Sequence, residues 1–174
     1  MYIKTVGIIG DSNEVKILND TAENMGKLIA LAGYTLVTGG RQGVMAAASK
    51  GARSVNPRPE TARVIGILPG TKKDEGNSFI DYVIPTGIGW ARNQVVVLSS
   101  DVVVAIGGGA GTLSEMAYAW TYNKPVIAFN MKQGWSTKLA GERLDEKRSD
   151  TIMKVGSPEE AIKLINDIFQ GQSR

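Results

Sequence analysis

The 174-residue chain contains no cysteine and no histidine. Without cysteine there is no disulfide, no thiolate nucleophile and no zinc–thiolate site. Without histidine there is no imidazole base, no histidine-based triad and no imidazole metal ligand. No metal site is therefore expected, and acid–base work falls to Asp, Glu, Lys, Tyr or water. Aromatic residues are scarce at 6%, and cationic side chains exceed anionic ones by only three. They are scattered, without the basic, aromatic-interleaved stripe of a nucleic-acid binder. No apolar run approaches the roughly 20 residues of a membrane span. The start, "MYIKTVGIIGDSNE", lacks a cationic segment followed by a long apolar one, so it reads as a first strand and not as a signal peptide. These absences fit a cytoplasmic protein whose partner is neither a membrane nor a nucleic-acid polymer. The mild positive balance suits a small anion.

The length suits a single domain over residues 1–174. Its 21 glycines cluster at the ends of apolar runs, as strand-to-helix turns would place them. "TVGIIG", "YTLVTGG", "RVIGILP", "DYVIPT", "DVVVAIGG", "KPVIAFN" and "TIMKV" read as strands. Helical spacing runs from Val15 to Ala32, with Gly33 as the stop, and again in "QGVMAAASKGA", "GWARNQVVVLSS" and "TLSEMAYAWTYN". In the last helix, "SPEEAIKLINDIF", Ser157 caps, Pro158 takes the first helical position and Glu160 completes a capping box. Met131 to Asp150 is polar and reads as a surface excursion. Val/Ile-rich strands with little alternation, each followed by a helix, predict a mostly parallel sheet covered on both faces. The expected fold is α/β, a Rossmann-like doubly wound sandwich, with ligands beyond the carboxyl ends of the strands.

Two glycine turns share a pattern. "LVTGGRQGVMAAA" and "VAIGGGAGTLSEM" both read strand–GGxxG–helix, aligning Gly39, Gly40 and Gly43 with Gly107, Gly108 and Gly111. "GGGAGT" is neither a dinucleotide fingerprint nor a Walker A loop. Bare glycine amides beside a helix N-terminus nevertheless suit a single phosphate, with Thr112 offering a hydroxyl. Glu115 has two readings. In "TLSE" it can be the back half of a capping box with Thr112, or a carboxylate serving an electron-deficient centre such as an oxocarbenium-like sugar carbon. Arg92 is either a solvated arginine or a planar fork for phosphate or for Glu115; Arg41 has a weaker claim of the same kind. Trp90 and Trp120 flank helices, where tryptophan ordinarily belongs to the core, although either could stack on a base.

"VTGGRQGVMAAASKGA…VIGILPG", Arg92 in "WARNQ", "SDVVVAIGGGAGTLSE" and "NKPVIAFN" together resemble the LOG (LONELY GUY) family over about Thr5 to Asn130. That family, also labelled lysine decarboxylase, includes molybdenum-cofactor carrier proteins. Its plant-type members cleave cytokinin nucleotides to free base and ribose 5-phosphate, and they are commonly dimeric. Its signature is PGGxGTxxE with an upstream Arg-Lys pair. Here Gly107 stands in place of the proline and Asn93 in place of the lysine, while Gly108, Gly109, Gly111, Thr112 and Glu115 match. The resemblance implies catalytic Arg92 and Glu115, a phosphate site including Gly39, Gly40, Gly43, Gly107, Gly108, Gly109, Gly111 and Thr112, no resident cofactor, and a homo-oligomer. A decarboxylase is excluded on chemistry, since no lysine adjoins the glycine turns to form a Schiff base. The expected function is N-glycosidic hydrolysis of a nucleoside 5′-monophosphate. The alternative is a non-catalytic carrier or sensor of a phosphorylated ligand, either molybdenum cofactor or a nucleotide.

Overall fold

In the computed structural model, residues 2–171 are described; Met1 and residues 172–174 lie outside that description. Seven strands form one sheet: β1 Thr5–Gly10, β2 Thr35–Thr38, β3 Val64–Leu68, β4 Tyr82–Pro85, β5 Val102–Ile106, β6 Val126–Phe129 and β7 Met153–Val155. Their order is β4-β3-β2-β1-β5-β6-β7, and every pairing is parallel. The six α-helices are α1 Lys16–Leu31, α2 Val44–Arg53, α3 Arg92–Leu98, α4 Ala110–Thr121, α5 Trp135–Leu139 and α6 Pro158–Gly171.

Burial on both faces explains the unalternating strand sequences. In β5 every residue is buried, and successive side chains enter opposite cores. Val102, Val104 and Ile106 join residues of α1, α2 and α6. Val103 and Ala105 join Val96, Val97 and Met116 of α3 and α4. The sheet is thus a doubly wound Rossmann-like layer between two sets of helices.

Local stop and start signals act as their chemistry requires. Gly33, at φ +79°, ends α1. Its amide donates to the Ala30 carbonyl and that of Tyr34 to the Ile29 carbonyl, the paired bonds of a Schellman motif. At α6 the Glu160 amide donates to Ser157 Oγ. The Glu160 carboxylate accepts from the Gly156 amide, one residue before the position a strict capping box uses.

Two expectations give way. The helix after β5 begins at Ala110, capped by Gly109 without a side-chain bond. Thr112 therefore lies inside the first turn, and "TLSE" is not a capping box. Residues 131–150 are also more than a surface excursion. They contain α5 and the fully buried Ser136, which is tied to the glycine turn after β5.

Candidate functional site

The strand order reverses between β1 and β5, with β2 to β4 on one side and β6 and β7 on the other. Loops leaving two such strands diverge to opposite faces, opening a crevice at their carboxyl ends. A cavity of about 250 Å³ lies there. The β1 loop (Gly10, Asp11, Ser12 and Asn13) forms one wall, and Gly109 to Thr112 with Glu115 form the facing one. Ile8 and Ile9 of β1 also line it, with Gly39, Met45, Trp90, Arg92 and Asn93.

The α4 wall is built to receive an anion. The first intrahelical bond of α4 runs from the Leu113 amide to the Gly109 carbonyl. The amides of Ala110, Gly111 and Thr112 precede it and have no intrahelical partner. They point out of a helix end carrying partial positive charge. Thr112 is buried, and its hydroxyl makes no hydrogen bond with the described residues. Its side chain packs on the bare Cα of Gly108, where a Cβ would lie 2.2 Å from Thr112 Oγ1.

Beside these donors Arg92 Nη1 meets Glu115 Oε1 at 3.4 Å, with only 4% and 8% of the two side chains exposed. Arg92 Nε is buried without a partner. Burial drags the Arg92 pKa down, as does Arg41 nearby, while Glu115 opposes them. Burial pushes Glu115 up to about 8, against the pull of Arg92. A single long contact does not restore the hydration that this carboxylate gives up. The guanidinium lies against bare backbone, since a Cβ on Gly39 would sit 2.4 Å from Arg92 Nη1. Asn93 donates from Nδ2 to Ser114 Oγ at 3.0 Å and to the Gly111 carbonyl at 3.4 Å. It fastens α3 to α4 and brings no charge. The two helix-flanking tryptophans part company: Trp120 is core, whereas Trp90 is 70% exposed at the rim of the cavity.

The glycines named from the sequence separate into two groups. Gly39, Gly109 and Gly111 line the cavity with Thr112, Arg92 and Glu115; Gly40, Gly43, Gly107 and Gly108 are not in that lining. The carbonyl of Gly40 is taken by the amide and side chain of Asn77. Gly43 is covered by the β1 loop, whose Asp11 carbonyl accepts the first amide of α2 from Val44. Gly107 and Gly108 face backwards onto α5. The Gly107 amide donates to Ser136 Oγ at 2.8 Å, and that hydroxyl donates on to the Phe129 carbonyl at 2.8 Å. The amides of Ser136 and Trp135 donate to the carbonyls of Gly107 and Gly108. Gly134, at φ +88°, lets the segment approach so closely that a Cβ there would stand 2.4 Å from the Gly107 carbonyl carbon.

Sequence reasoning did not single out Asp11, Ser12, Asn13 or Met45 as lining residues. The signal available was "GDSN" at the end of the first strand, the place where a doubly wound sheet puts its ligand loop.

Comparison with known proteins agrees with the fold. The chain superimposes on the molybdenum cofactor binding protein of the phototrophic bacterium Rippkaea orientalis with TM-score 0.85 and 38% identity, covering 97% of this chain and 99% of that one. The molybdenum cofactor carrier protein of Chlamydomonas reinhardtii matches at TM-score 0.81 and 31% identity, over 97% and 99%. A cytokinin riboside 5′-monophosphate phosphoribohydrolase of Mycobacterium tuberculosis is 30% identical over 119 residues, 63% of this chain and 61% of that enzyme. The model of the SLOG cluster4 family matches residues 3–162. With nearly the whole chain spanned by that match, the protein belongs to the SLOG cluster4 family, within the LOG-like group.

Proposed function

We propose that the protein binds a phosphorylated small molecule of the molybdenum-cofactor type in the crevice between β1 and β5, and holds it without turnover. One observation carries this reading: the α4 amides with no intrahelical partner border the crevice, while the carboxylate beside them is buried against Arg92. Burial pushes its pKa up to about 8, which favours the protonated form of Glu115. A neutral carboxyl does not stabilise the cationic sugar carbon of glycosidic cleavage, but neither does it repel a phosphate dianion. Asn93 adds to this, being a neutral tether where the resembling hydrolases place a lysine. The likeness to two molybdenum-cofactor proteins over nearly their whole length supports the same choice.

The ligand would be gripped through its phosphate and organic part. The chain has no cysteine or histidine, so it offers a metal neither a thiolate nor an imidazole. Among the described residues no three acidic side chains converge on a point either. A metal carried by the ligand would arrive already coordinated.

The experiment is to purify the protein from cells that make the cofactor, release what is bound and identify it by mass spectrometry. In parallel, the protein is incubated with AMP and assayed for free adenine. A co-purified phosphorylated pterin with AMP left intact supports the reading; steady release of adenine overturns it.

The Arg92–Glu115 contact favours a second reading, N-glycosidic hydrolysis of a nucleoside 5′-monophosphate. In that chemistry a protonated Glu115 would donate to the leaving base, a task for which the chain has no histidine.

A further inference from the structure

The helices on the two faces of the sheet are finished differently. On one face α1 exposes Lys16, Asp20 and Lys27, and α6 exposes Glu159, Lys163 and Asp167, as solvated helices do. Residues 82–123 supply α3 and α4 to the other face. Their only charged side chains are Arg92, Asp101 and Glu115, although 21% of the whole chain is charged. Arg92 and Glu115 are buried, and Asp101 is engaged at the amino end of β5 by Thr5 and Tyr2. The outward sides of α3 and α4 therefore carry no charge, where a solvent-facing helix ordinarily carries several.

What lies open there is apolar. Tyr82, Ile84, Ile88, Trp90 and Leu98 are each between 45% and 70% exposed. Tyr82 and Ile84 pair in register with Ile65 and Ile67, so they point to the face where Ile67 packs with Val96 and Val97 of α3. Ile88 and Trp90 lie in the connection from β4 to α3. Ala91, Val95 and Leu98 then follow at one-turn spacing along the outer side of α3. A hollow of about 560 Å³ between Ala91 and the α4 residues Ser114 and Tyr118 carries the surface across to α4. Five half-open large side chains put this patch at the upper end of the roughly 300–600 Å² that a monomer leaves exposed. With the outer side of α4 it approaches the roughly 800 Å² that each partner gives to a stable complex.

We infer that this face seats a second copy of the chain, bound about a two-fold axis with α3 and α4 against the same helices of its partner. Charge decides among the occupants. A membrane-docking surface is ordinarily rich in lysine and arginine, and α3 and α4 present neither outward. A partner chosen by charge would find nothing to read. A two-fold contact sets each patch against its own copy, so any charge near the axis meets a like charge, and an uncharged apolar face suits it. The association does not depend on what the crevice holds.

The test is light scattering of the full chain during size exclusion at micromolar concentration. The wild type should show twice the 18.6 kDa of one chain. Leu98→Glu and Ala91→Glu each place a carboxylate at an exposed position outside the crevice lining. Both variants should keep the circular dichroism of the wild type and associate at least about a hundredfold more weakly, as an unpaired charge inside an interface implies. Lys27→Glu, on the exposed side of α1, should stay dimeric. Hydrogen exchange of the wild type needs no variant: residues 86–98 should gain protection as concentration is raised, and residues 16–31 should not.

A wild type of single-chain mass would overturn the inference, and binding of that monomer to phosphatidylcholine vesicles would assign the face to a membrane instead. A dimer that survives both carboxylate substitutions, or that only Lys27→Glu breaks, would place the contact on another face and overturn it as well.

Discussion

Arg92 and Glu115 face each other at 3.4 Å inside the crevice, both almost sealed from solvent, and the guanidinium keeps one nitrogen, Nε, without a partner. An arginine so placed neutralises its neighbour only in part. If the proposed phosphate binds here, it would offer Arg92 a stronger partner than a protonated carboxyl.

The first prediction concerns pH. The pKa of Glu115 is raised in the folded protein, from the ordinary 4.5 to about 8, so the folded state holds a proton that the unfolded chain releases. The contribution of this group to stability is then fully present below about pH 4.5 and is lost as pH rises through the window to 8, by up to a few kcal/mol. Thermal melts of the wild type against Glu115→Gln measure it. The glutamine variant should lack this decline and be the more stable of the two at pH 8.

Gly39 should behave unlike Gly111. A Cβ at Gly39 meets the Arg92 guanidinium at 2.4 Å, whereas one at Gly111 finds nothing closer than Asn93 Nδ2 at 3.7 Å. Gly39→Ala is expected to cost about 1–3 kcal/mol of stability through overpacking and to displace Arg92. Gly111→Ala should melt within about 0.5 kcal/mol of the wild type. Chemical denaturation of the two variants side by side checks the contrast.

Ser136 is the fastener of the loop that presents α4. Ser136→Ala strands the Gly107 amide in a buried place and leaves the Phe129 carbonyl only the Met131 amide, at a cost of about 2–3 kcal/mol. For a domain of this size that corresponds to a fall in Tm on the order of 5–10 °C. Hydrogen exchange should show Gly107 to Gly109 losing protection beyond what the global loss of stability explains. Unchanged exchange there would mean that α5 does not hold the turn.

Much of this was legible in the chain. Runs such as "DVVVAI" announce a strand buried on both faces, and Gly33 and Ser157 mark helix ends by chemistry that is local. Arg92, Glu115 and Thr112 could be named because helix spacing and the family-like motif put them at one sheet edge. The directions of the glycine turns were not legible. Gly107 and Gly108 turn backwards because Gly134 to Ser136, far along the chain, bind their backbone. Gly43 is closed by the Asp11 loop from β1, so the two similar motifs end in different surroundings. The start of α4 was misplaced for a related reason: the Gly109 cap makes no side-chain bond, so no Ser, Thr, Asp or Asn marks it. Trp90 looks like a core residue in sequence, and only the three-dimensional course of its turn exposes it.

Arg92 is the charged group with the clearest claim on a bound phosphate, so it carries the most direct test of the central claim. Wild-type protein and Arg92→Ala are each mixed with molybdenum cofactor, passed through a spin filter and assayed for cofactor retained with the protein. The account predicts about one cofactor per chain on the wild type, recovered chemically intact, with retention at least tenfold weaker in Arg92→Ala, as loss of a charge-assisted hydrogen bond implies. Equal retention by the two proteins, or none by the wild type, would contradict it.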